Sequence, residues 1–175
     1  MPINQGAYLE GSTDLREGEI VMAGVTTDQL SGWNADAVIL PFGRGCIFAP
    51  SATGTHERAA LILPTTAGQI IRGVLVATDT IERRPGVSVD GNGNPGYPLP
   101  SSGQAVIATY ATKGMIAVRA IENVTKGDAV TCVITVGPNQ GVFGRTANAS
   151  QIACPTTWEW ATTTASGGIG ILYIK

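Results

Sequence analysis

The single histidine of this 175-residue chain, His56, stands in the run Gly54-Thr55-His56-Glu57-Arg58, so hydrolytic or metal chemistry would have to be built around it. A serine nucleophile activated by that imidazole would sit on a sharp Gly-x-Ser-x-Gly turn, and no such sequence occurs. Flanked by Glu57 and Arg58, His56 reads as a solvated loop residue. Zinc needs closely spaced Cys and His ligands. The three cysteines, Cys46, Cys132 and Cys154, are dispersed without any Cys-x-x-Cys pair. Their odd number and apolar settings, such as Val130-Thr131-Cys132-Val133, suit reduced buried thiols. Gly43-Arg44-Gly45 lacks the third glycine and the helix start of a phosphate cradle. Asp90-Gly91-Asn92-Gly93-Asn94 has the outline of a calcium loop, but it has one acid and no closing glutamate, so it reads as a turn. The 13 acidic residues permit paired carboxylates without locating any. Trp158 and Trp160, two apart on a strand, share a face. They could stack on a sugar or fill a core, and packing is the expectation. No catalytic residue, metal ligand or cofactor is therefore assigned, and the chain is expected not to be an enzyme.

Composition points the same way. Charged residues make up 14% of the chain, against roughly 25% in ordinary soluble proteins, and the net charge is −2. Lysine occurs at Lys113, Lys126 and Lys175 alone. A strongly basic nucleic-acid binder, charge-driven disorder and a coiled coil are excluded. Mean hydropathy is +0.17, which favours a protein packed into an assembly. No apolar run is long enough to be a transmembrane helix. Met1-Pro2-Ile3-Asn4-Gln5 has neither the basic nor the apolar region of a secretory signal.

The elements around these residues read as short strands between Gly and Pro turns. Strands are expected at Ile20–Val25, Ala37–Leu40, Ala59–Leu63, Ile70–Ala77, Gln104–Tyr110, Met115–Arg119, Ala129–Val136, Gly141–Gly144 and Gly168–Ile174. Only Thr146–Ile152 offers one or two helical turns. The fold class is all-β, a jelly roll, β-sandwich or β-barrel-like domain. Residues 1–15 form an extended N-terminal arm, and residues 16–175 form the single domain, with a long projecting loop at about 82–103. Ile71, Val74, Val76, Val106, Val118, Val133, Ile169 and Leu172 are expected in the core. Arg16-Glu17-Gly18-Glu19-Ile20-Val21 is echoed by Thr125-Lys126-Gly127-Asp128-Ala129-Val130, as if a strand-entry turn were used twice. Arginine and aromatic side chains dominate interface energetics. The interface candidates are accordingly Phe42, Arg44, Arg83, Arg84, Tyr97, Arg145, Trp158 and Trp160, with Tyr8 and Leu9 as anchors on the arm.

The order of several motifs resembles the structural cement, or head-decoration, proteins of tailed bacteriophages. Gly114-Met115-Ile116-Ala117-Val118-Arg119 is followed by Val124-Thr125-Lys126-Gly127-Asp128-Ala129-Val130 and then by Gly141-Val142-Phe143-Gly144-Arg145. A Trp-bearing segment around Trp158 precedes the ending Ala165-Ser166-Gly167-Gly168-Ile169-Gly170-Ile171-Leu172-Tyr173-Ile174. Gly18-Glu19-Ile20-Val21 and Leu40-Pro41-Phe42-Gly43-Arg44-Gly45 extend the likeness to about residues 16–174; the loop from Glu82 to Pro100 departs from it. The resemblance implies a non-enzymatic virion protein on the outer surface of a capsid shell built from an HK97-type major capsid protein. It implies bridging of capsomers as a homodimer or homotrimer, with the major capsid protein and itself as partners and neither nucleic acid nor membrane. Such a protein is made in the host bacterial cytoplasm. A tail or fibre module and a carbohydrate-binding β-domain using Trp158, Trp160 and Tyr97 remain the alternatives.

Overall fold

Thirteen strands and no helix make up the described residues of the computed structural model, which are 15–21, 26–50, 59–77, 88–99 and 106–175. In chain order they begin with β1 (Asp28–Asn34), β2 (Leu40–Pro41), β3 (Gly45–Phe48), β4 (Ala59–Ile62), β5 (Gly73–Leu75), β6 (Ser88–Val89) and β7 (Pro95–Tyr97). They continue with β8 (Ile107–Arg119), β9 (Thr131–Val133), β10 (Phe143–Gly144), β11 (Gln151–Ala153), β12 (Trp158–Trp160) and β13 (Ile169–Ile174). Tyr8, Leu9, His56, Arg83 and Arg84 lie outside the described residues, as do the proposed arm up to residue 14 and loop residues 82–87 and 100–103.

Five strands in the order β1-β4-β3-β5-β8 close into a small barrel when β1 pairs back with β8. The β1–β4 pairing is parallel and the other four are antiparallel. Of the expected architectures, the barrel is the one adopted. The 13-residue β8 is the spine of the fold. Its first half closes the barrel against β1, and its second half pairs with β13, which carries β12. The described parts of the strands expected at Gln104–Tyr110 and Met115–Arg119 thus fall on one strand from Ile107 on, with Gln104 and Ala105 outside the described residues. Gly114, with φ +121°, sits where the pairing partner changes.

Most buried strands carry apolar side chains on both faces, which is why they read as continuous apolar runs rather than alternating ones. In the run around β5, Leu75 faces the barrel interior with Leu61, Cys46, Ala108 and Tyr110. Val74 and Val76 face the other way. Their core lies against the second sheet, β10-β9-β11, and the tryptophans of β12. Each large aliphatic side chain so buried contributes about 1.5–3 kcal/mol relative to its exposed state. Of the expected core, Ile71, Val74, Val76, Val118, Val133 and Leu172 are buried, while Val106 is half-buried. Ile169 is exposed, because it opens β13 at the rim.

The echoed turns are the same device in the structure. Gly18 and Gly127 have φ of +81° and +89°. The amide of Glu19 donates to the Arg16 carbonyl at 3.1 Å, and that of Asp128 to the Thr125 carbonyl at 2.9 Å. Each acid then accepts the first residue's amide: Arg16 N–H on Glu19 at 3.1 Å, Thr125 N–H on Asp128 at 2.8 Å. The turn at Gly18 lays residues 15–21 along the free edge of β8, with Gly18 N–H to Ala117 O and Val21 N–H to Met115 O, both at 2.8 Å. Thr146–Ile152 is not helical. Asn148 pairs with Gln151 in a tight turn that leads into β11.

Candidate interaction surface

Most aromatic and arginine candidates have gone inside. Trp158 and Trp160 share a face, as their spacing requires, and that face is buried. The Trp160 indole N–H donates to the Gly144 carbonyl at 3.1 Å, and Trp158 packs on Phe143 at 6.2 Å between ring centroids. Tyr97 is buried edge-on against Phe42 at 5.1 Å, and its hydroxyl donates to the Val76 carbonyl at 2.6 Å. Burial raises the Tyr97 pKa above the ordinary phenol value. A side chain with no exposed area has none to give a partner. These residues hold the core in place, and the carbohydrate alternative loses the rings it needed.

Arg44 is buried as well, a costly position that only an opposing charge makes tolerable. Its Nε lies 3.9 Å from Oε2 of Glu17. The other Glu17 oxygen accepts from Nε of Arg119 at 2.5 Å. Nε and Nη1 of Arg44 and Oε2 of Glu17 have no hydrogen-bond partner among the described residues. Burial pulls the Arg44 pKa down from its ordinary value, Glu17 opposes that, and neighbouring Arg119 adds to it. The sequence carried no signal of this triad, since Glu17 and Arg119 are 102 positions apart.

Arg145 is the one described candidate on the surface. Its guanidinium reaches Asp128 at 3.3 Å and Glu122 at 4.0 Å. The amides of Arg145 and Thr146 also donate to Glu122, at 2.8 and 2.9 Å. Burial raises the Glu122 pKa, but these hydrogen bonds and the Arg145 charge outweigh it, so the carboxyl is held below its usual range. Arg145 thereby ties the loop after β10 to the Gly127 turn.

Five exposed large apolar side chains, Val38, Val89, Leu99, Val136 and Ile169, line two clefts beside the hairpin of β6 and β7, while exposed Ile70 and Ile107 line neither. The hairpin tip is closed by Asp90, whose Oδ1 accepts the amides of Asn92 and Asn94 at 2.8 and 2.9 Å. Desolvation raises the Asp90 pKa, but the bonds from Asn94 and Asn92 prevail and hold it low. The carboxylate is therefore occupied within its own turn. Two clefts flank this hairpin. The first, of about 440 Å³, is lined by Leu15, Phe42, Val89, Pro95 and Ile169, with Arg16, Glu17 and Arg119 at its edge. The second, of about 380 Å³, brings together Val38, Leu99 and Val136 over Pro41, Leu63 and Gln140. Those three side chains are 46%, 48% and 74% exposed, unusual for large apolar residues gathered at one place. Sequence reasoning missed them, although Val136 precedes Gly137-Pro138, a turn that ends burial abruptly. Among the described residues there is no group of three or more His, Cys, Asp and Glu placed to hold a metal ion.

Comparison with solved structures finds a chain from "The capsid of Myoviridae Phage XM1", with a TM-score of 0.66 and 17% identity, covering 100% of this chain and 98% of that one. At that identity the likeness is one of fold. Comparison with curated proteins found no match. A family model described as "Structural cement protein (E217 gp24/Pam3 gp6)" matches residues 5–175. With nearly its whole length matched, the chain belongs to the phage structural cement protein family.

Proposed function

We propose that the protein sits on the outer surface of a tailed-phage head, against an HK97-type major capsid protein. There it bridges neighbouring capsomers as a homodimer or homotrimer and carries out no covalent chemistry. The observation that carries this is the second cleft, where Val38, Leu99 and Val136 stand exposed on a chain with 14% charged residues. Interfaces deplete charge at their centre in this way. Its one charged lining residue, Asp90, has its carboxylate oxygens hydrogen-bonded within its own turn, so an apolar partner surface leaves no bare carboxylate oxygen there. Many copies across many seams turn a modest single contact into firm retention by avidity.

Add-back to heads stripped of the protein, read by sedimentation and electron microscopy, tests this. Wild type should coat the heads and stay bound from about 0.05 to 1 M salt, a range over which the Debye length falls from over 10 Å to about 3 Å. Val136→Asp, at a site where the side chain is already solvated, should fold normally and lose binding. Quantitative release of wild type at high salt, or undiminished coating by Val136→Asp, would overturn the proposal.

A further inference from the structure

The three exposed side chains of the second cleft stand on three separate loops: Val38 between β1 and β2, Leu99 after β7, and Val136 after β9. On unsupported loops such side chains would be free to collapse on one another and close the cleft. Polar side chains beneath them prevent it. Asn34, at the end of β1 and 1% exposed, uses both of its side-chain N–H groups on other segments. Its Nδ2 donates to the Val38 carbonyl at 3.2 Å and to the Pro98 carbonyl at 2.9 Å. Its Oδ1 accepts the Asp36 amide at 2.8 Å.

Asp36 then joins the Val38 loop to the end of β4. Its Oδ1 accepts the Ala37 amide and its Oδ2 the Leu63 amide, both at 2.8 Å. On the next residue, the Pro64 carbonyl accepts from Nε2 of the buried Gln140 at 3.0 Å. The Gln140 amide closes the turn after Val136 by donating to the Gly137 carbonyl at 3.1 Å. Asn34, Asp36 and Gln140 thus tie all three loops into one frame. The frame meets the backbone at Val38 itself, at Pro98 beside Leu99 and at Gly137 beside Val136. Burying two carboxamides is costly unless their bonds are made, and what these bonds fix is the place of each exposed side chain.

We propose that Asn34 and Gln140 are positioning residues of the second cleft. They set the spacing of Val38, Leu99 and Val136 before a partner arrives, so the cleft accepts an apolar surface of matching relief without having to be ordered by it. This rests on the reading of that cleft as the docking surface.

Backbone amide relaxation of the free protein, measured by NMR, tests the frame. Val38, Leu99 and Val136 should have order parameters near about 0.85, those of a rigid backbone. Asn34→Asp keeps the shape of the side chain and the acceptor for Asp36 but loses both donors. Val38 and Leu99 should then fall below about 0.6 while Val136 stays unchanged. Gln140→Met should do the converse, and it carries both readouts if Asn34→Asp does not fold. Add-back to heads reads the consequence. Asn34 does not line the cleft, so Asn34→Asp should slow association about tenfold, with about one molecule in ten holding the cleft formed, and leave dissociation within about twofold of wild type. Val136→Ala, which removes a contact, should instead speed release. Leu172→Ala, destabilised in a separate core, should associate like wild type. Wild-type order parameters below about 0.6, values unchanged in both variants, association of the variants at the wild-type rate, or equal slowing by Leu172→Ala would each overturn the inference. Failure of wild type to bind heads would overturn the docking reading instead, and the relaxation data would still decide whether the frame holds the cleft.

Discussion

Replacing Glu17 with Gln removes the principal compensating charge of a buried guanidinium, to which Asp90 contributes less. Arg44 is buried, its Nε is 3.9 Å from Glu17, and two of its nitrogens are already unpaired. At that separation and an effective dielectric of 20, the attraction is about 4 kcal/mol. This agrees with the 3–5 kcal/mol typically lost when one partner of a buried pair is deleted. The Arg119 contact adds little to that figure, because its side chain is 41% exposed and screened. For a chain of this length each kcal/mol moves Tm by about 2–4 °C, so Glu17→Gln should melt roughly 6–20 °C lower. Glu17→Leu combined with Arg44→Met removes both charges from the interior. It should recover most of that loss, or exceed wild type, since apolar replacements of buried pairs are often neutral or stabilising. Thermal unfolding at neutral pH, followed by circular dichroism, reads all three proteins. A drop below about 2 °C for Glu17→Gln, or a double variant less stable than the single one, would refute the view that the pair is a buried, mutually dependent one.

Leu172→Ala, at a fully buried site, should cost about 2–5 kcal/mol in urea unfolding, whereas Ile169→Ala at the exposed start of the same strand should cost far less. Gly18→Ala should destabilise clearly more than Gly68→Ala. Both have positive φ, which costs an alanine roughly 1–2 kcal/mol. Only at Gly18 does the new Cβ also meet Phe42 Cβ at 2.7 Å, while nothing lies within 4 Å at Gly68. Cys46, Cys132 and Cys154 are buried, and burial pushes each thiol pKa up, so a thiol reagent at about pH 8 should label them only as the protein opens. Rapid labelling of native protein would contradict this core assignment. The Glu122 carboxyl is held below its unfolded value of 4.5, so its stabilisation is complete above that pH and is lost as pH falls through the lower folded value. Glu122→Gln should therefore flatten the acid limb of the stability curve below about pH 4.5, and an unchanged acid limb would refute this.

The all-β class and the strands β4, β5, β8, β9, β10 and β13 could be read from sequence because β-branched runs such as Ile70–Val76 and Val130–Val136 leave little else to form. The strands β1, β3, β6, β7, β11 and β12 escaped. In β1, Asp-Gln-Leu-Ser-Gly-Trp-Asn has weak strand propensity. What makes it a strand is pairing with β4 on one side and β8 on the other. The strand-entry turns could also be read, because a positive-φ glycine followed by an acid has a local cause. The site was far less legible. Residue type alone marked Phe42, Arg44, Tyr97, Trp158 and Trp160 as contact residues, yet a small closed barrel backed by a second sheet uses its largest side chains as filling. Sequence does not tell a tryptophan with a buried carbonyl nearby, such as Trp160 with Gly144, from one facing solvent.

The exposed apolar side chains around the hairpin of β6 and β7 are smaller, and they lie near the ends of strands. Val38 precedes β2, Val89 ends β6, Leu99 follows β7, and Val136 is three residues past β9. At such positions no neighbouring strand covers the side chain, so exposure follows from topology, and it recurs around one hairpin because β2, β6 and β7 form a separate sheet. A single continuous apolar patch of this kind would invite indiscriminate association. Here the hairpin tip, with Asp90, Asn92 and Asn94 bonded to one another, separates two smaller clefts, one bordered by arginines and one uncharged except for Asp90. The two clefts thus differ in the charge at their borders, and such a difference is what lets a surface with few charges discriminate between partners.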